Sequence, residues 1–478
     1  MNKGYTKVSS ADEPHIPMGR PYFTTETPAA GTPLHGIPLY GDEESNKPEL
    51  KRFVVQGYKD SWASTLFLAM WFSLFIIGCN NLPSDPPKGF LLGKDNDTDG
   101  KLVASATLSA MLCSLISSRV LLSLIHSFPR TMIMFAHVGT MISLICAVIS
   151  APSKDAKFEF LFVICICHAL WFVSGLQRIP FAAEMLRISA DVLSSYSTLY
   201  FIDILLSFSF CILLIVWGCA AEPTIDTITK NQVVTGPVYA FLFVLLLSLF
   251  WTQQVVWNLM HVTTAGLTAT WYFAGKNNMP RNPTLASFKR GATTSFGSIC
   301  FGSLLVAIVG VIRVIVSSLK DSDDEVLHGI FLCIINILQD LLEYFNTYAF
   351  VHVAIYGCGY TEAAKKTWEL CKQCESAAIF NDALIDNTLF IFIVLNSVLT
   401  AGVVALTCGS QVVLGVPLFV TVLCHIILLA PLSSIVTTFF VCYAEVPEGL
   451  RHSAPELYAA IHSADQNGTG NNAQAPRV

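Results

Sequence analysis

Apolar residues along the chain gather into ten long runs, at roughly 61–79, 102–125, 131–151, 158–177, 198–219, 237–258, 295–318, 327–350, 385–407 and 411–440. An α-helix needs about 20 apolar residues to cross the ~30 Å hydrocarbon layer of a bilayer. The runs lack the ~10-residue alternation of a membrane β-barrel strand. The pattern therefore predicts an all-α, polytopic integral membrane protein with about ten transmembrane helices. The transmembrane domain is expected over residues 61–445. Residues 1–60, with Pro14, Pro17, Pro21, Pro28, Pro33 and Pro38 and no apolar run, read as a flexible tail without a cleavable signal peptide. Residues 446–478 read as a second tail.

Composition sharpens this. Only 13% of residues are charged, half the ~25% of an average soluble domain, and 53% are hydrophobic. Those proportions exclude a disordered chain, and a net charge of -6 leaves no basic face for nucleic acid. Lys and Arg mark the cytosolic side of a membrane protein. With the first residues inside, 19 basic residues fall on inner segments and 7 on outer ones, and the short inner loops alone hold 10. Both termini are therefore expected to be cytosolic. Asn96-Asp97-Thr98 then lies in the first outer loop, where Asn96 is a glycosylation acceptor, whereas Asn467-Gly468-Thr469 would face the cytosol and stay unmodified.

Most of the fifteen cysteines, among them Cys113, Cys146, Cys165, Cys167, Cys300, Cys333 and Cys424, fall inside spans, as small apolar packing residues do. Cys371-x-x-Cys374 has no second pair or nearby His, so it reads as a reduced, incidental pair and no metal or cofactor is expected. Phe296-Gly297-Ser298-Ile299-Cys300 lacks the second glycine and the preceding strand of a serine-hydrolase elbow. No metal or nucleotide motif points to an enzyme.

The densest motifs lie between Phe250 and Arg313: FWTQQVVWNLMHVTTAGLTATWYF, then KRGATTSFGSICFGSLLVAIVGVIR. Together with RIPFAAEML at 178–186, YFNTYAFVHVAIYG at 344–357 and FFVCYAEVPE at 439–448, they resemble the choline transporter-like family, in order and over residues 60 to about 460. The short first outer loop, 80–101, is similar to that of the fungal and protist branch. The resemblance implies ten helices with both ends cytosolic, and transport of choline or, in some members, ethanolamine, with proton exchange associated with some. It also implies the plasma membrane, with an internal organelle membrane as the alternative.

Choline is a permanent cation without an ammonium hydrogen-bond donor, held by aromatic faces at ~0.5–2 kcal/mol each. The eighth span offers a fitting stripe. Asn336, Asp340, Glu343 and Thr347 follow at steps of four, three and four on one helical face, flanked by Tyr344 and Tyr348. An intramembrane acid is costly, at ~2.5–3.5 kcal/mol on insertion scales, and so points to a bundle interior or aqueous pathway. Glu343 or Asp340 would attract the cation and exchange protons; a polar seam that packs helices or pairs with Arg119 is the other reading. In span six, Trp251, Gln254 and Asn258 share a face, with Trp257 beside them and His261 and Thr264 continuing inward. These are substrate-binding candidates, although either Trp could be an interfacial anchor. His261 is a candidate proton acceptor, against helix capping or headgroup contact.

Several features have plainer expectations. Gly266 should weaken the sixth helix before an interfacial belt at Trp271-Tyr272-Phe273. Residues 178–195 should form an amphipathic helix on the inner leaflet. Arg119, Arg313 and Asp203 should snorkel to the nearer interface. His137 and His168 read as lone core histidines, and Ser298 with Gly302 as a packing pair. Gly266, Gly297, Gly302 and Gly310 are hinge candidates. Three function classes remain from these patterns: a carrier of choline or a related amine that also contacts membrane lipids, a membrane-embedded lipid enzyme without visible machinery, and a non-transporting scaffold or sensor.

Overall fold

The computed structural model describes residues 57–81, 97–150, 156–230, 236–318, 325–373, 377–408, 415–455 and 458. Asn96, Cys374, Asn467 and nearly all of both expected tails lie outside the described residues. Within them the chain is helical: α1 Ser61–Asn80, α2 Asp97–Ser127, α3 Pro129–Ser150, α4 Ala156–Gly175, α5 Ile179–Ser195, α6 Thr198–Thr229 and α7 Gly236–Ala274. There follow α8 Pro283–Ala292, α9 Phe296–Ser318, α10 Glu325–Tyr356, α11 Tyr360–Gln373, α12 Ala377–Cys408, α13 Gly415–Glu445 and α14 Gly449–Ser453. Among the described residues, ten segments are long and apolar enough to cross a membrane. Their outer surface carries large apolar side chains such as Phe72, Ile116, Leu170, Phe208, Phe390 and Phe419. Such a surface is stable only in lipid, where helices satisfy every backbone polar group internally.

Two groups of helices meet along α13. α1, α6, α7, α9 and α10 pack together, as do α2, α3, α4, α5 and α12; α13 touches members of both. α7 is the spine of the first group. From Asn258 to Tyr272 every residue on it is buried, because α6, α8, α9, α10 and α13 surround that stretch.

This corrects two expectations. α7 runs unbroken through Gly266, so Trp271 and Tyr272 are buried in the bundle instead of forming an interfacial belt. Gly266 serves close approach: a Cβ there would lie 3.0 Å from Ser287 Oγ and 3.2 Å from an Arg290 nitrogen, both on α8. α5 places Ile179, Ala182, Ala183, Leu186 and Ala190 on one buried face as expected, yet it packs against α13, α2 and α3 instead of lying on the leaflet. Small residues on that face let the neighbouring backbones close over it.

The residues just before α1 are clamped to the bundle. Asp60 adopts φ 48°, ψ 37°, left-handed backbone that is costly outside glycine. Its Oδ2 accepts a 2.8 Å hydrogen bond from Ser298 Oγ and a 2.7 Å bond from the Tyr360 N–H. Gly297 makes room for this turn, since a Cβ there would collide with the Lys59 and Asp60 carbonyl oxygens. The Ser298–Gly302 pair is thus a packing surface. Its two ends receive the Lys59–Asp60 turn and the rings of Tyr360 and Phe350.

Candidate functional site: a cleft where α6, α7 and α13 meet

A narrow cleft with about 10 Å³ of interior room, enough for about one water, lies where α6 and α7 of the first group meet α13. α6 contributes Asp203; α7 contributes Trp257, Met260, His261 and Thr264; α13 contributes Ala430, Pro431 and Ser434.

Asp203 does not snorkel. It is fully buried, and neither carboxylate oxygen has a hydrogen-bond partner among the described residues. The turn at Tyr196–Ser197 joins α5 directly to α6, and α6 packs against α1, α7, α8 and α13, so that α7 and α13 close around Asp203 where a free interface was expected. A carboxylate held in such surroundings calls for a positive partner, either a proton on its oxygen or a cation beside it.

His261, 5% exposed, ties α7 to α13 across the cleft and to one further helix, α10. Its Nε2 lies 2.9 Å from the Thr347 carbonyl oxygen, which only accepts, so Nε2 carries the hydrogen. In the neutral ring Nδ1 then accepts from the Ser434 hydroxyl at 2.8 Å. His261 therefore stands in the bundle interior instead of at a headgroup. Trp257 is exposed at 41% and forms part of the cleft wall. Pro431, in the cleft wall, has no N–H to give the carbonyl of Ile427, four residues earlier on α13.

The other candidates divide by location. Trp251 is buried, donates from Nε1 to the Cys300 carbonyl at 2.9 Å and packs edge-on against Phe67. Asn258 donates to Ser303 Oγ at 2.9 Å, and Gln254 is half-buried. These three face α9 or the margin of the bundle, and the cleft wall does not include them. On α10, Asn336 and Asp340 are exposed; Glu343 is half-buried and accepts from Gln339 Nε2 at 2.9 Å. The stripe ends on Thr347, whose carbonyl holds His261. Tyr344 and Tyr348 sit one turn apart with hydroxyls 2.9 Å from each other. Arg119 is exposed.

The sequence places Asp203 at an interface and does not single out Ser434 or Pro431, although a proline two and three residues before a serine pair inside an apolar run is visible at Pro431, Ser433 and Ser434. A further intramembrane acid, Asp386 on α12, accepts from Ser433 Oγ at 2.6 Å. His137 and His168 are neighbours, with ring centroids 5.7 Å apart, and not lone residues. Among the described residues no cluster of three or more His, Cys, Asp or Glu could hold a metal ion.

The sequence pattern of the plasma-membrane choline transporter family matches residues 160–448, a stretch that takes in α5 to α13 and every wall of the cleft. The chain belongs to that family. A CTL-like protein of Dictyostelium discoideum is 33% identical over 308 residues, which are 62% of this chain and 54% of that relative. Protein PNS1 of Saccharomyces cerevisiae is 24% identical over 435 residues, 84% of this chain and 78% of the yeast protein. PNS1 of Gibberella zeae is 34% identical over 233 residues, 45% of this chain and 43% of its own length. The chain thus spans about half the length of two of these relatives. Family and fold together make it a multi-pass membrane protein of a transporter family.

Proposed function

We propose that this protein carries choline or a related small amine, ethanolamine included, by alternating access around the α6–α7–α13 cleft, and that it is not an enzyme. The observation that carries the reading is Asp203: a buried carboxylate without a hydrogen-bond partner, in one cleft with the indole of Trp257. An aromatic face and a bare carboxylate are what a quaternary ammonium needs, and desolvation strengthens both attractions. Ser434 would take the hydroxyl end.

The cleft lies between α6 and α7 of the first helix group and α13, the helix both groups share, and a rocking motion about α13 would open it to each side in turn. The α10 stripe of Asn336, Asp340 and Glu343 forms the outer approach in this reading. Proton and cation compete for one carboxylate at Asp203, so one charge leaves as the other arrives; His261 beside it is the candidate relay. Both termini face the cytosol in the plasma membrane, as the basic residues are distributed, and residues 61–445 form the transporting domain.

The test is labelled-choline uptake into liposomes holding the purified protein, with Asp203→Asn alongside. The expected result is saturable uptake that falls at least tenfold in the variant, about 1.4 kcal/mol or more of lost stabilisation. Equal uptake in the two would remove the site. Choline binding by folded wild-type protein without any flux would favour a sensor or scaffold.

A further inference from the structure

From the cleft toward the face where α1 begins, α10 presents Tyr344, Tyr348, His352 and Tyr356 at successive steps of four, a stripe about 18 Å long that winds slowly around the helix. The upper rings stand 5.0 Å apart, and the lower two, His352 and Tyr356, are stacked at 6.2 Å with an interplanar angle of 16°. Tyr348 and His352 are buried in the bundle.

At the lower end the stripe meets an acid. The Tyr356 hydroxyl donates to Glu445 Oε2 at the end of α13, and Glu445 Oε1 lies 3.2 Å from His352 Nδ1. His352 Nε2 is buried with no hydrogen-bond partner among the described residues. A cation already occupies the open face of this group, for Lys366 Nζ of α11 stands 3.9 Å over the Tyr356 ring. Lys366 is at the same time paired with Glu362, one turn away on its own helix, at 3.4 Å, so leaving the ring need not cost it the ion pair.

We propose that Tyr356, Glu445 and His352 form a second site for the transported organic ammonium ion, where it pauses at the inner face before release, and that Lys366 holds the place of the cation when the site is empty. The inference rests on the transporter reading. It adds a site outside the cleft, and the stripe of α10 supplies successive aromatic faces between the two. A cation moving along them exchanges one π-face for the next without meeting a bare apolar wall. Glu445 gives it a final counter-charge next to the cytosol.

The experiment uses full-length protein in vesicles sorted by orientation, with the half-saturating concentration of labelled choline measured from each face. Glu445→Gln and Tyr356→Leu should raise the inner value relative to the outer about tenfold. Lys366→Met, which removes the competing cation from a partly exposed side chain, should lower that ratio several-fold. A ratio unchanged in Lys366→Met, and in whichever of the other two variants folds, would overturn the release site while leaving transport in place. Wild-type protein that moves no choline from either face would overturn the transporter reading, and this inference with it.

Discussion

Ser298 donates its hydroxyl hydrogen to Asp60 across 238 residues of sequence, at 2.8 Å. With the Tyr360 N–H on the same oxygen, one carboxylate fastens the start of α1 to the start of α9 and of α11. Hydrogen bonds to a charged group contribute about 1.5–3 kcal/mol each, less where water reaches them. Asp60→Ala should therefore cost about 2–4 kcal/mol of stability. Asp60→Asn should cost less, because Asn tolerates left-handed backbone and retains an acceptor oxygen. Thermal unfolding in detergent checks the order; equal midpoints for wild type and Asp60→Ala would show that the clamp is idle.

The four glycines considered as hinges should respond to alanine in a graded way. At Gly297 a Cβ would collide with the backbone of Lys59 and Asp60, and at Gly302 with the rings of Tyr360 and Phe350 at 2.5 and 2.6 Å. At Gly266 the nearest atoms belong to side chains at 3.0 Å or beyond, and at Gly310 the contacts with Phe250 begin at an ordinary 3.5 Å. Alanine gains up to ~1 kcal/mol of helix propensity over glycine. Gly310→Ala should thus be neutral or slightly stabilising, Gly266→Ala mildly destabilising, and Gly302→Ala and Gly297→Ala severely so. Midpoints that do not follow this order would mean that the glycines serve motion more than packing.

What could be read from the sequence depended on how local the cause was. The ten spans follow from run length alone, and the polar stripe of α10 from spacing, because helix periodicity is a property of the segment itself. Asp203 could not be read that way. Its position shortly after the turn at Tyr196–Ser197 resembles that of a residue free to reach an interface, and the packing of α7 and α13 against α6 closes that route. Trp251 and Trp257 show the same limit. Both on one helix, they were interchangeable on paper, yet α9 takes the first into the core through Cys300 and leaves the second facing the cleft. Ser434 was missed since its significance lies in His261, 173 residues away.

His261 should contribute to both stability and transport. It bridges α7 to the Thr347 carbonyl of α10 and to Ser434 of α13. His261→Leu leaves the half-buried Thr347 carbonyl and Ser434 hydroxyl without their partner, which should cost about 1–3 kcal/mol. Ser434→Ala removes one of the two bonds, and should cost about 1 kcal/mol. The double variant should be less destabilised than the sum of the singles, since both lose the one shared bond. Strict additivity in thermal unfolding would show that the His261–Ser434 bond contributes nothing.

The intramembrane acids should separate by position when flux is measured against an imposed pH gradient. Asp203 is buried in the cleft and lacks a hydrogen-bond partner, Glu343 is half-buried and engaged by Gln339, and Asp340 is exposed. If one carboxylate accepts proton and cation in turn, neutralising it removes both the affinity and the response to the gradient. Asp203→Asn should therefore abolish gradient-driven uptake. Glu343→Gln, on the outer approach, should raise the half-saturating choline concentration about three- to tenfold while the remaining flux still follows the gradient. Asp340→Asn should change it less than threefold. Trp257→Leu should weaken binding by ~0.5–2 kcal/mol and leave the gradient response intact, because the ring attracts the cation and carries no proton. Loss of the gradient response in Glu343→Gln, with Asp203→Asn still responding, would move the exchange of charge out of the cleft and onto α10.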